Sequence, residues 1–227
     1  MEWTIGWWQI SIQRVWPTKE RLTQIYDRAA PRWHRHLHLF GYDRAYTKLF
    51  QSLQQSGVLA YLKDDSTVCD CGIGTAGFSL ALAKTVTPKL NIIGVDISPE
   101  MLGKASRILS VAGVKHQVCQ GDAIALPFED NTFDLVMSAH MLEHLPNPNA
   151  GLSEMVRVLR SGTPLLLAVT RPGLVGSLIQ FYWGNGCLKP ESLTQMMADA
   201  GLTNICIYPF THGFSRWTSI ACLGFKK

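Results

Sequence analysis

The chain has 227 residues, 47% hydrophobic and 17% charged, with 21 Lys and Arg against 17 Asp and Glu for a formal net charge of +4. That length suits one α/β core with an accessory segment, and so apolar and weakly charged a chain is neither disordered nor a coiled coil. So small a net charge does not mark a nucleic-acid binder, and six cysteines without a C-x-x-C pair read as reduced core thiols of a cytosolic protein.

Residues 1–16 carry Trp3, Trp7, Trp8 and Trp16 but neither a cationic leader nor the roughly 18 to 20 apolar residues of a membrane span, so neither a signal peptide nor a transmembrane helix is expected here. Trp8, Ile12 and Val15 fall at helical spacing, with Arg14, Lys19 and Arg21 nearby. Core packing, a lid over substrate, a dimer contact and peripheral membrane contact are all open for this stretch. Residues 18–30 predict a helix with Thr18 as N-cap, and 43–62 a second with Leu49, Leu53 and Leu59 on one face. Positive charge gathers here: nine basic residues precede Asp64, against Glu2, Glu20, Asp27 and Asp43. Residues 1–63 are therefore read as a helical preface, a lid over the acceptor pocket, and 64–227 as the main domain.

From 67 on, short apolar runs alternate with amphipathic ones. Strands are expected at 67–71, 91–95, 114–120, 133–138, 164–170, 205–208 and 218–225. Helices are expected at 76–86, 99–112, 150–159 and 190–200. The alternation implies right-handed crossovers and an α/β, doubly wound, mostly parallel sheet of seven strands, with ligand beyond the carboxyl ends of the strands at the switch point.

The strongest local signal is Val68-Cys-Asp-Cys-Gly-Ile-Gly-Thr-Ala-Gly77, a strand entering G-x-G-x-x-G and then a helix. Glycines there permit a tight turn and close approach of ligand to backbone, although such a turn also has purely structural uses. Nineteen positions after Gly77, Asp96 ends the next strand, where an acid can accept hydrogen bonds from both hydroxyls of an adenosine ribose. Gly121-Asp122-Ala123 then closes the third strand. A dinucleotide dehydrogenase shares the fingerprint. Against it stand Asp70, which would repel a pyrophosphate and welcome an ammonium, the missing Tyr-x-x-x-Lys pair, and a preface of more than sixty residues.

These residues resemble the class I S-adenosylmethionine-dependent methyltransferases. Asp70-Cys-Gly-Ile-Gly-Thr-Ala-Gly is similar to their first motif and Gly94-Val-Asp-Ile-Ser-Pro-Glu-Met-Leu to their second. Gly121-Asp-Ala with Leu126-Pro-Phe-Glu-Asp-Asn-Thr-Phe-Asp-Leu-Val is similar to the third and fourth. Tyr26-Asp-Arg-Ala-Ala-Pro-Arg-Trp33 resembles the preface of the ubiquinone and menaquinone methyltransferase group, although Trp33-His34 departs from Tyr-Asp. The resemblance implies a Rossmann-like fold and S-adenosyl-L-methionine as cofactor. Its methionine moiety would rest on Asp70 and the backbone of Cys71, Gly72 and Gly74, with Gly77 opening the helix. Asp96 would hold the ribose, Ile97 and Met101 the adenine face, and Asp122 and Ala123 the adenine edge. Ser138 would meet the methionine amine through its backbone, and Tyr26 and His144 would touch the cofactor.

Methyl transfer is an in-line displacement that depends on positioning, and a base is needed only when the acceptor carries a proton. His140, just beyond the fourth strand, is the candidate base, with a pocket-wall role as the alternative. No metal is expected: His34, His36 and His38 alternate without carboxylates, and the stretch after the fourth strand lacks the acids that hold magnesium. The preface together with Phe181, Tyr182 and Trp183 predicts a small hydrophobic or aromatic acceptor for O-, N- or C-methylation. An oxidoreductase and a non-catalytic cofactor-binding protein of the same fold are the alternatives.

Overall fold

The computed structural model describes residues 2–5, 7–11, 18–173 and 186–227, with backbone alone at 2–5, 8–11, 34 and 36. The chain opens with an antiparallel hairpin of β1 (Glu2–Ile5) and β2 (Trp8–Ser11), paired from Glu2 against Ser11 to Ile5 against Trp8. This corrects the helical reading of the opening at Trp8; Ile12 and Val15 lie outside the described residues. The physical reason is local: aromatic and β-branched residues on both arms, Trp3, Thr4 and Ile5 against Trp8 and Ile10, favour strands over a helix.

Helix α1 (Lys19–Leu39) starts as expected, with the Arg21 N–H donating to Thr18 Oγ1 at 3.3 Å. It runs through Pro31 instead of ending at residue 30. Proline removes one backbone bond, and contacts from the main domain sustain the helix beyond it; the Lys104 ammonium donates to the neighbouring Ala30 carbonyl at 2.6 Å. Helix α2 (Tyr42–Gln55) ends short of residue 62 because Gly57 takes φ +77° just past the Ser56 cap, the left-handed geometry that closes helices.

Then follow β3 (Thr67–Cys71), α3 (Gly77–Thr85), β4 (Asn91–Asp96), α4 (Pro99–Val111), β5 (Lys115–Gln120), β6 (Leu135–Ala139), α5 (Pro148–Val158), β7 (Pro164–Thr170), α6 (Pro190–Asp199), β8 (Leu202–Pro209), α7 (Ser215–Thr218) and β9 (Ser219–Lys226). They build one seven-stranded sheet in the order β5-β4-β3-β6-β7-β9-β8, as expected from the alternation. The first five strands are parallel, and β9 runs antiparallel between β7 and β8.

Period-two alternation divides the core between the two faces. Val68, Leu135, Met137, Leu166 and Ala168 pack toward α2, α3 and α4, while Cys69, Cys71, Val136, Leu165 and Leu167 pack toward α5 and α6. Asp70 shares the Val68 face and is thereby buried under α3. No helix among the described residues is long and apolar enough to cross a membrane.

Candidate active site

The strand order reverses between β3 and β6, which places the ends of these two strands at the switch point. After β3 the chain turns at Gly72, whose φ is +73°, and the N–H groups of Gly72 and Ile73 both donate to the Val95 carbonyl, at 2.8 and 3.0 Å. A Cβ at Gly72 would stand 2.5 Å from Met141 Cγ, so only glycine lets the chain reversal and the loop after β6 approach this closely. Asp96, at the end of β4, braces the turn. Its Oδ2 accepts from the Gly74 N–H at 2.9 Å and its Oδ1 from the Ser98 N–H at 3.0 Å. Ser98 caps α4 by accepting from the Met101 N–H at 3.1 Å, and its hydroxyl donates to Asp27 Oδ1 at 2.5 Å.

Around this frame lies a cavity of about 450 Å³. Of the residues singled out in the sequence, it gathers Tyr26, Asp70, Gly72, Gly74, Gly77, Asp96, Ile97, Met101, Asp122, Ala123, His140 and His144. Cys71 and Ser138 do not line it. The Cys71 side chain is on the other sheet face, its sulfur 3.6 Å from that of Cys69, and the Cys71 carbonyl accepts from the Ser138 hydroxyl at 2.7 Å, which ties β3 to β6. The remaining wall is apolar and aromatic: Leu22, Trp33, Leu37, Phe40, Tyr42 and Phe214, with Thr170 beside His140. Tyr42, the first residue of α2, and Phe214, just before α7, carried no signal in the sequence. Phe181, Tyr182 and Trp183 lie outside the described residues. No group of three His, Cys, Asp or Glu able to hold a metal occurs among the described residues, from which the side chains of His34 and His36 are excluded.

The two ends of the cavity differ in charge. At the glycine end Asp70 is buried; its Oδ2 accepts from the Ser79 hydroxyl at 2.6 Å while Oδ1 has no hydrogen-bond partner. Burial, with the Asp96 charge assisting, pushes the Asp70 carboxyl up to about 7. Burial also raises Asp96, against hydrogen bonds from the Ser98 and Gly74 N–H groups that lower it. Tyr26, edge-on to the rings of Trp33 and His144, has its phenol pushed up by burial and by the charges of Asp96 and Glu143, and stays neutral. Beyond β6, His140 meets Glu143 and Thr170, with Nδ1 at 3.2 Å from Glu143 Oε1 and 3.2 Å from Thr170 Oγ1. Glu143 was missed in the sequence.

Residues 69–167 match the methyltransferase domain family. Demethylmenaquinone methyltransferase of Anoxybacillus flavithermus is 25% identical over 223 residues, spanning 86% of this chain and 92% of that protein. Ajmaline N-methyltransferase of Rauvolfia serpentina is 30% identical over 171 residues, spanning 66% of this chain and 57% of that protein. Among solved structures, the [4+2]-cyclase SpnF aligns with a TM-score of 0.73 at 17% identity, covering 93% of this chain and 97% of that one. Phosphoethanolamine N-methyltransferase 2 of Haemonchus contortus in complex with S-adenosyl-L-methionine aligns with a TM-score of 0.66 at 17% identity, covering 90% and 60%. At such identities the solved structures speak for the fold alone.

S-adenosylmethionine is the cofactor, and the cavity suits it: Asp70 Oδ1 is a buried carboxyl oxygen without a hydrogen-bond partner, a place for an ammonium donor, and the glycine turn leaves backbone open beside it. Residues 69–167 thus carry a methyltransferase domain, and with these relatives and this site the protein is an S-adenosylmethionine-dependent methyltransferase.

Proposed function

We propose that the protein methylates a small aromatic acceptor bearing a dissociable proton, of the phenol or hydroquinone class. The observation that carries this reading is the polarity of one cavity: acids and glycines at the end of β3 and β4, an aromatic wall from α1, α2 and Phe214, and His140 on its wall. Asp70 holds the ammonium of the cofactor and Asp96 its ribose hydroxyls; Ile97 and Met101 pack on the adenine, with Asp122 and Ala123 at its edge. When bound, the cofactor supplies an electrophilic methyl group. The protein's own residues orient the acceptor, exclude water with the apolar wall and take up its proton at His140. Helix α1 is the lid of this site. Relatives named demethylmenaquinone methyltransferase and ajmaline N-methyltransferase support a small-molecule acceptor.

The test is calorimetric titration with S-adenosylhomocysteine and with NAD, followed by methyl-transfer assays on reduced 1,4-naphthoquinol, a simple phenol and a tertiary amine. Micromolar binding of the nucleoside alone, lost in Asp96→Ala, with transfer to naphthoquinol or phenol, is expected. Binding of the nucleoside without transfer to either acceptor would sink the reading.

A further inference from the structure

We propose that Glu143 is a positioning residue of the transfer reaction: buried beneath His140, it holds the imidazole as the Nδ1–H tautomer and leaves Nε2 to receive the acceptor's proton. This rests on the reading above that the acceptor brings a dissociable proton to the His140 wall.

Glu143 sits in the 3-10 turn Leu142–His144 that follows β6, and it is one of few charged side chains in the interior, 2% exposed. Its Oε1 accepts three donors: the Thr170 N–H at 2.9 Å, the Thr170 hydroxyl at 2.8 Å and His140 Nδ1 at 3.2 Å. Its Oε2 has no hydrogen-bond partner. The turn itself is pinned, because the Gly186 N–H donates to the Glu143 carbonyl at 2.6 Å. A buried carboxylate is retained only where a charge or donor compensates it, and the imidazole is the compensating group that also lines the cavity.

The histidine is fixed as firmly as the acid. His140 occupies φ +56°, a left-handed conformation that a non-glycine residue keeps only when its surroundings impose it. Its N–H donates to the Ala168 carbonyl at 2.8 Å, and its ring stands edge-on to Tyr42, with centroids 5.5 Å apart at 90°. Nε2 has only the Ser219 hydroxyl, at the outer limit of 3.5 Å. With Nδ1–H committed to a carboxylate, the lone pair must lie on Nε2.

The charge environment agrees. Burial alone would raise the Glu143 carboxyl, but the hydrogen bond from His140 helps hold it below its ordinary value, so it is ionised. From α2 the imidazole meets Tyr42, whose phenol burial pushes up and keeps neutral. From β7 and β9 it meets only the hydroxyls of Thr170 and Ser219. The Arg171 guanidinium is turned to the carbonyls of Arg216 and Trp217. In the step itself the acceptor's O–H proton passes to Nε2, and the electron pair so released forms the bond to the methyl carbon. The pair of the broken carbon–sulfur bond stays on sulfur. The Glu143 charge stabilises the imidazolium as it forms.

Glu143→Gln keeps an oxygen for Thr170 while removing the charge and turning the unpartnered Oε2 into an amide NH2, so it tests positioning with the support of Thr170 retained. The ligand-free protein, labelled with 15N at histidine, reports tautomer and titration of His140, assigned by comparison with His140→Gln. Expected are an Nδ1–H tautomer in the parent and, in Glu143→Gln, a mixed tautomer with the titration midpoint moved to lower pH. Transfer to naphthoquinol should lose about 10- to 100-fold in kcat with KM within about twofold, and the acid limb of the pH profile should move down with the histidine. An Nε2–H tautomer in the parent overturns the proposal, as does a variant with unmoved midpoint and unchanged kcat. Should the variant not fold, the parent tautomer decides alone. Failure of every proton-bearing acceptor while tautomer and midpoint behave as stated overturns the acceptor reading and leaves the pair standing.

Discussion

A cavity carboxylate with one oxygen unpartnered responds to protons as well as to ligand, and Asp70 does so near neutrality. Its carboxyl is pushed up to about 7, so below that pH the free protein holds a proton there that an ammonium bound as proposed would expel. Affinity for S-adenosylhomocysteine should therefore rise between about pH 6 and 8 with net proton release, seen as a buffer-dependent calorimetric enthalpy. Asp70→Asn should flatten that dependence and weaken binding by about 10- to 100-fold, the range for a hydrogen bond to a charged group. Stability moves the other way. The folded state holds the Asp70 proton over a window, from about the ordinary carboxylate value up to about 7, in which the unfolded chain has lost it. The contribution of Asp70 to stability thus falls as pH rises through that window, and Asp70→Asn should melt higher than the parent at about pH 8. Both Asp70 and Asp96 were legible because glycine spacing and strand ends announce them. Glu143 was not: in Met-Leu-Glu-His it reads as an ordinary turn acid, and its partner Thr170 is 27 positions away.

At the scale of elements, α1 is where the sequence reading was least complete. Three polar contacts fasten it to the cofactor side of the main domain: Lys19 to Asp122 at 2.9 Å, Asp27 to Ser98 at 2.5 Å, and Lys104 to the Ala30 carbonyl at 2.6 Å. Asp96, Ile97 and Asp122 line the cavity at the end proposed above for the adenosine, so a helix fastened there would cross the route by which a nucleoside leaves. Asp27→Ala should raise the dissociation rate of S-adenosylhomocysteine about tenfold, as read by stopped-flow fluorescence of the cavity aromatics. Lys19→Ala, which breaks a solvent-exposed pair, should change it by less than about fivefold. Equal effects from the two would contradict the picture of Asp27 as the main fastening. No local pattern announces these contacts, which join residues up to 103 positions apart. Pro31 likewise acts by a rule that depends on what surrounds it. Proline ends a solitary helix but is carried by a docked one.

Across the whole molecule, the boundary that composition suggested near residue 63 does not coincide with a boundary in packing. Helix α2 places Ala45, Tyr46, Leu49, Phe50 and Leu53 in the same cluster as Phe78 of α3 and Met137 of β6, and the rings of Phe50 and Phe78 lie 4.8 Å apart. Each such large side chain contributes about 1.5 to 3 kcal/mol on burial, and together they rival the roughly 5 to 15 kcal/mol by which a domain is stable at all. Helix α1, by contrast, buries fully only Ala30 among its described side chains, and several of the others line the cavity or face solvent. A chain starting at Gly41 should therefore fold, with a cooperative melt and native near-ultraviolet dichroism, yet bind S-adenosylhomocysteine weakly for want of Tyr26 and the Asp27 fastening. A chain starting at Asp64 would expose the face that α2 covers and should aggregate or melt without cooperativity. Cooperative folding of the shorter chain would restore the boundary that composition suggested. Loss of folding in the longer one would mean that α1 belongs to the core and is no lid. The two truncations thus separate the element that closes the site from the element that completes the fold, a distinction that charge and periodicity merge because both helices are amphipathic and basic residues run through each.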